Sequence, residues 1–186
     1  GFSFQIDSAN NVTLVGCHAD DISQVGTPYV VSGSLGFLFT GTANETMVIG
    51  CQAFAKANCF YHDVTFPTIQ RTTFIGCTAR YFSDNAFAHL DGLITYIGCR
   101  ISGVSNALGN GINITATGGS LISGCNFYQC GAGIGGTLTN VTIMPNNHFL
   151  DVGAPGGGGA VTQATNKATA VTLNAPTGLI TMNNAA

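Results

Sequence analysis

Acidic side chains are scarce in this chain, eight Asp plus Glu among 186 residues, so places where they gather with basic and aromatic residues mark candidate sites. The best local grouping is Arg80, Tyr81, Phe82, Asp84, His89 and Asp91, with Arg100 one repeat further on. Hydrolysis of a glycosidic bond needs two carboxyl groups, about 5 Å apart when one is a nucleophile, or about 6.5–9.5 Å apart when a water must fit between them. Asp84 and Asp91 are the candidate catalytic pair. Arg80, Tyr81, His89 and Arg100 are the candidate ligand-binding set, with Tyr81 and Phe82 as a surface on which a sugar ring can stack. Solvated turn residues, or an intrachain ion pair, would leave the same local pattern.

A second grouping, His18, Asp20 and Asp21, follows a Gly-Cys pair in the same way that Arg100 does, and His148 follows Asn147 likewise. An acid pair shared between subunits would involve Asp20 or Asp21. Other motif matches carry less. Gly131-Ala-Gly-Ile-Gly-Gly136 fits G-x-G-x-x-G, but no helix follows and no acid stands about 20 residues on, so dinucleotide binding is not expected and the glycines read as turn residues. Asn11, Asn44, Asn113 and Asn140 match N-x-[ST] and read as turn asparagines ahead of strands. The cysteines are expected to point inward and the histidines outward, which leaves no shared coordination sphere. Neither a metal nor another cofactor is expected.

The elements that must position these residues are visible in a repeat. Ala9-Asn-Asn-Val-Thr-Leu-Val-Gly-Cys17 matches Ala43-Asn-Glu-Thr-Met-Val-Ile-Gly-Cys51 without a gap. The ending returns at Phe74-Ile-Gly-Cys77, Tyr96-Ile-Gly-Cys99 and Leu121-Ile-Ser-Gly-Cys125, and in a degenerate copy with Asn147 at the Cys position. Apart from the first interval, of 34 residues, the copies are 22 to 26 residues apart. That is the length of one coil of a parallel β-helix, and the excess around residues 26–36 reads as a protruding loop. Phe2-x-Phe4-x-Ile6, Phe37-x-Phe39, Phe87-x-His89 and Ile112-x-Ile114 supply a second strand per coil. No stretch sustains a 3.6-residue apolar period that would give crossover helices.

The expected fold is therefore all-β: a right-handed single-stranded parallel β-helix of about six coils. Stacking at about 4.8 Å would place Cys17, Cys51, Cys77, Cys99 and Cys125 in an internal ladder of small apolar side chains. An antiparallel sandwich would need more two-residue hairpin signals than the chain has. We divide the chain into a β-helix over residues 1–152, a Gly-rich linker over 153–159, and a C-terminal β segment over 160–186. In that segment, Ala170-Val-Thr-Leu-Asn174 and Gly178-Leu-Ile-Thr-Met182 read as a hairpin needing a neighbour to pack on.

Composition narrows the function. Charged residues make up 7% of the chain, Gly numbers 26 and the net charge is −3, so the outer faces must be Thr, Ser, Asn and Gly. Five Lys plus Arg, scattered along the chain, give no basic stripe for nucleic acid. No apolar run approaches the length of a membrane span, and the N-terminus has no secretion signal. Seven cysteines, an odd number without C-x-x-C spacing, read as buried free thiols of a chain made in a reducing cytoplasm. Entering a strand directly after Gly1, the chain reads as a piece of a longer protein.

Taken together, coils ending in Val/Ile-Gly-Cys over residues 1–152 and the segment running from Lys167 to Ala186 resemble the C-terminal β-helix regions of bacteriophage tail spikes and tail fibres. The coil pattern is shared with other β-helix families such as pectate lyases; the C-terminal segment is similar to a short module near the ends of phage tail proteins. The resemblance implies a homotrimer of side-by-side β-helices in the virion tail, in contact with other tail proteins. It also implies assembly in the host cytoplasm and action at the host cell surface on a bacterial glycan. Attachment through surface polysaccharide, depolymerisation of it by a hydrolase or lyase, and a purely structural spacer are the three functions this leaves.

Overall fold

Gly16, Gly50, Gly76, Gly98 and Gly124 all hold φ between +60° and +64°, a region that costs a residue with a side chain about 1–2 kcal/mol. For the first four, nothing lies within 4 Å of where a Cβ would stand. The dihedral, not crowding, is what requires glycine there. Each glycine turns the chain through one corner of a coil, and the following cysteine turns inward.

The computed structural model describes residues 2–20, 33–41, 45–63, 71–89, 92–104, 108–115, 120–136, 141–144 and 146–153. The predicted linker beyond residue 153, the C-terminal hairpin, Asp21 and Asp91 lie outside the described residues. Those described contain strands and no helix. In chain order the first coil is β1 (Phe2–Asp7), β2 (Thr13–Val15) and β3 (His18–Ala19); the second is β4 (Leu35–Thr40), β5 (Thr46–Ile49) and β6 (Gln52–Phe54). Next come β7 (Asn58–His62), β8 (Arg71–Ile75) and β9 (Thr78–Arg80), then β10 (Asn85–His89), β11 (Leu93–Ile97) and β12 (Arg100–Ser102). The stack continues with β13 (Asn110–Ile114), β14 (Ser120–Ser123), β15 (Asn126–Tyr128), β16 (Ala132–Gly136), β17 (Val141–Ile143) and β18 (His148–Leu150).

Every third strand pairs in parallel, giving three six-stranded sheets. We call sheet 1 the one running from β1 to β16, sheet 2 from β2 to β17, and sheet 3 from β3 to β18. The parallel β-solenoid is thus the expected fold, with one correction: each coil has three strands, not two. The sheet 3 strands are two or three residues long, too short to show a period in sequence. Leu35 and Gly36, expected in the protruding loop, belong instead to β4.

Like residues stack over like. In sheet 1 the inward column is Phe4, Phe37, Phe60, Phe87, Ile112 and Ile134, and its four phenylalanine rings stack 4.7–4.8 Å apart. In sheet 2 it is Leu14, Val48, Phe74, Tyr96, Ile122 and Ile143. In sheet 3 it is Ala19, Ala53, Ala79, Ile101, Phe127 and Phe149. Burying each of the large members contributes about 1.5–3 kcal/mol. The cysteine ladder forms between sheets 2 and 3; Cys51, Cys77, Cys99 and Cys125 are fully buried, while Cys17 in the first coil is half-buried. Cys77 Sγ donates to Val48 O over 3.2 Å. Hydrogen bonds with Cys125 and Cys77, then burial, hold the Cys99 thiol well above its ordinary range.

At the entry to sheet 1 runs a second ladder, of amides. Asn85 Nδ2 donates to Asn58 Oδ1 at 2.7 Å and Asn110 Nδ2 to Asn85 Oδ1 at 2.8 Å. Stacked strands leave these side chains a partner above and below, so burial costs no unmet donor.

Three expectations about orientation are corrected. His18 and His148 point outward, but His62 and His89 are 2% and 1% exposed; they occupy the inward column of Phe39 and Ile114. Gly133 and Gly135 are not turn residues but lie inside β16. Asn113 sits within β13 rather than in a turn, whereas Asn11 does hold a left-handed turn at φ +57°.

Candidate functional site

Strand alternation in sheet 3 sends Ala53, Ala79, Ile101 and Phe127 inward and the residues on either side of each outward. Two outward columns result. One is His18, Gln52, Thr78, Arg100, Asn126 and His148, each the residue after the cysteine position. The other is Phe54, Arg80, Ser102, Tyr128 and Leu150, each two residues further on. The match of His18, Arg100 and His148 read from sequence is therefore a true structural register.

Between the columns lies an open trough of about 710 Å³ lined by Gln52, Phe54, Thr78, Arg80, Arg100, Ile101, Ser102, Asn126 and Tyr128. Arg80 and Arg100 are on adjacent strands, and Arg80 pairs with Ser102, two residues past Arg100. One strand spacing and two residues of rise place their backbones about 8 Å apart. The Arg80 guanidinium lies 5.1 Å from the Tyr81 ring centre and 5.8 Å from that of Phe54, and its Nη2 donates to Tyr81 Oη at 3.2 Å. Such exposed cation–π contacts contribute about 0.5–1 kcal/mol each. They hold Arg80 over an aromatic shelf.

Tyr81 owes its place to the corner that follows sheet 3. Ala55, Tyr81, Gln129 and Asp151 take that corner with φ of +49° to +56°. The N–H groups of Ala55, Tyr81 and Gln129 bond the next coil along, as in Tyr81 N to Ser102 O at 2.8 Å. The strain is that of a repeated corner and not peculiar to Tyr81.

Of the residues singled out by sequence, Arg80, Tyr81 and Arg100 come together on this face. Asp84 does not line the trough. It is exposed at the entry to β10, where its Oδ2 accepts from Asn58 Nδ2 at 3.3 Å and ends the amide ladder. Burial raises the Tyr61 hydroxyl above its ordinary value, with Asp63 and then Asp84 adding to the effect. His89 lies in the core against His62, ring centres 5.9 Å apart, and cannot face a ligand on the surface. Asp91, the other half of the expected carboxylate pair, is outside the described residues.

Gln52, Phe54 and Asn126 are site residues that the sequence reading passed over. Their signal was present in the offsets of one and three residues from each cysteine. No group of three or more His, Cys, Asp or Glu among the described residues is arranged to hold a metal ion, and these residues form no helix long and apolar enough to cross a membrane. No protein-family model, curated protein or solved structure matches the chain.

Proposed function

We propose that this chain is the coil-stack part of a bacteriophage tail spike or tail fibre, attaching the virion to its host through surface polysaccharide bound on the outer face of sheet 3. The trough carries the reading. It offers guanidinium, amide and hydroxyl donors beside the aromatic side chains of Phe54 and Tyr128, the mixture that a polyhydroxylated ring with apolar faces requires. It rests on paired strands, a rigid support that keeps the donors at fixed spacing.

Assembly as a homotrimer beside other tail proteins fits a second surface. The outward column Val15, Ile49, Ile75 and Ile97 on sheet 2 is continuous through four coils; Val15 is 66% and Ile97 41% exposed. An apolar stripe of this kind marks a contact surface. Free buried thiols suit synthesis in the host cytoplasm, ahead of action at the cell surface.

Cutting the polysaccharide, as a hydrolase or lyase, needs a placed carboxylate pair or base, and the described lining contains neither Asp nor Glu. Binding is the function favoured. The test is light scattering on the purified chain together with binding and oligosaccharide-release assays on a panel of bacterial capsules. A trimer that binds without release is expected, with Ile75→Lys reducing assembly. A stable monomer would remove the tail reading, and release would replace attachment by depolymerisation.

A further inference from the structure

We infer that the sheet 3 trough recognises the carboxylate groups of an acidic polysaccharide, held by Arg80 and Arg100 with the sugar path bounded by Phe54 and Tyr128. This rests on the glycan-attachment reading and narrows it to a class of ligand. The chain has five Lys plus Arg and a net charge of −3, yet two of its arginines stand in one trough whose described lining holds no carboxylate. Neither guanidinium has a carboxylate partner among the described residues. Arg80 directs one N–H to Tyr81, and a guanidinium carries five.

Placing two cations side by side without a counterion costs repulsion, and a bound anion removes that cost. The guanidinium fork matches the two oxygens of a carboxylate. It matches phosphate too, but the neighbours favour a sugar acid. Phe54 and Tyr128 stand in one column with Arg80 and Ser102 between them, a span of about 14 Å at the spacing of parallel strands. Gln52, Thr78, Ser102 and Asn126 add donors and acceptors for ring hydroxyls. A chain of uronic-acid rings lying along the stack would meet aromatic, cation and aromatic in turn, whereas a polyol phosphate has no ring to set against the aromatics.

The experiment is affinity electrophoresis of the whole chain through gels containing alginate, poly(glycerol phosphate) or dextran. Alginate should retard it, with affinity falling about tenfold or more in Arg80→Ala and in Arg100→Ala, and weakening as salt screens the exposed charges. Tyr128→Ala should weaken binding to alginate severalfold. Both arginines are exposed, so circular dichroism of the variants should match the parent. Poly(glycerol phosphate) bound as tightly as alginate would overturn the assignment to sugar carboxylates. Dextran bound equally well, with both arginine variants unaffected, would overturn the acidic class and leave glycan attachment standing. Retardation by none of a wide set of glycans, these included, would overturn both.

Discussion

Gly133 makes room for the ring of Phe149: a Cβ on Gly133 would stand 2.7 Å from both Cδ1 and Cε1 of that ring. The same exchange recurs one coil earlier, where a Cβ on Gly111 would come within 2.7 Å of Phe127 Cδ1 and also meet the carbonyl oxygen of Gly133. As the inward residue of sheet 3 grows from Ala79 through Ile101 to Phe127 and Phe149, the residue of sheet 1 in the same coil shrinks from Cys59 through Ala86 to Gly111 and Gly133. Gly133→Ala should therefore cost about 1–3 kcal/mol by overpacking. Phe149→Leu should restore part of the loss, because only side-chain atoms of Phe149 and Val152 crowd that position. Urea unfolding of the two single variants and the double variant measures the coupling; strict additivity would show that the pair is not in contact.

Gly98→Ala tests the other reason for glycine. Its φ is +62° and the space around it is empty, so only the backbone term of about 1–2 kcal/mol should appear. No second substitution should rescue it.

The amide ladder makes a separate claim about coupling between coils. Asn85 bonds both Asn58 and Asn110, and it is 5% exposed. Asn85→Ala leaves the Asn58 oxygen and the Asn110 amide without this partner, and should cost about 2–4 kcal/mol in urea unfolding at two groups of about 1–2 kcal/mol each. Asn110→Ala, at the end of the ladder and less buried, should cost about half as much. Equal losses would indicate that packing and not hydrogen bonding sets the effect.

How much of this was legible in the sequence follows from the lengths of the signals. Gly-Cys pairs recur at a fixed corner because a left-handed dihedral selects glycine and a tight interior selects a small apolar side chain, so the coil register could be read at once. Phe87-x-His89 was readable as a strand, but histidine at its end was given an outward place; the coil puts it where Phe39 and Ile114 sit. The third strand was invisible, since Thr78-Ala-Arg80 offers a single alternation. With it went Gln52, Phe54 and Asn126, whose importance comes only from stacking beside Arg80 and Arg100. The glycines of β16 were misread because glycine marks turns more often than it marks room for a neighbouring ring.

The inward place of His89 can be checked directly. Were it a surface ligand, its loss would weaken glycan binding; in the core column it should not. His89→Leu should leave affinity for polysaccharide within about twofold, well under the about 1.4 kcal/mol that a tenfold change represents, and its effect should appear in the unfolding midpoint instead. A tenfold loss of affinity with unchanged stability would return His89 to the binding face.

Buried thiols outside the cysteine ladder contribute to the behaviour in alkali. Burial pushes the Cys59 thiol up to about 12 and the Cys130 thiol up to about 11, from an ordinary 9.0. Above pH 9 the unfolded chain releases these protons while the folded chain still holds them, so the unfolded state gains. Stability from this source is complete below pH 9 and is lost as pH rises, until about 11 for Cys130 and about 12 for Cys59. Within that window each thiol should lower stability by about 1.4 kcal/mol per pH unit. Tyr96, also raised by burial from an ordinary 10.0, acts in the same direction higher up. Chemical unfolding between pH 8 and pH 10.5 should show the decline, and Cys59→Ala with Cys130→Ala should flatten part of it. A decline of undiminished slope in the double variant would assign the alkaline sensitivity to other groups.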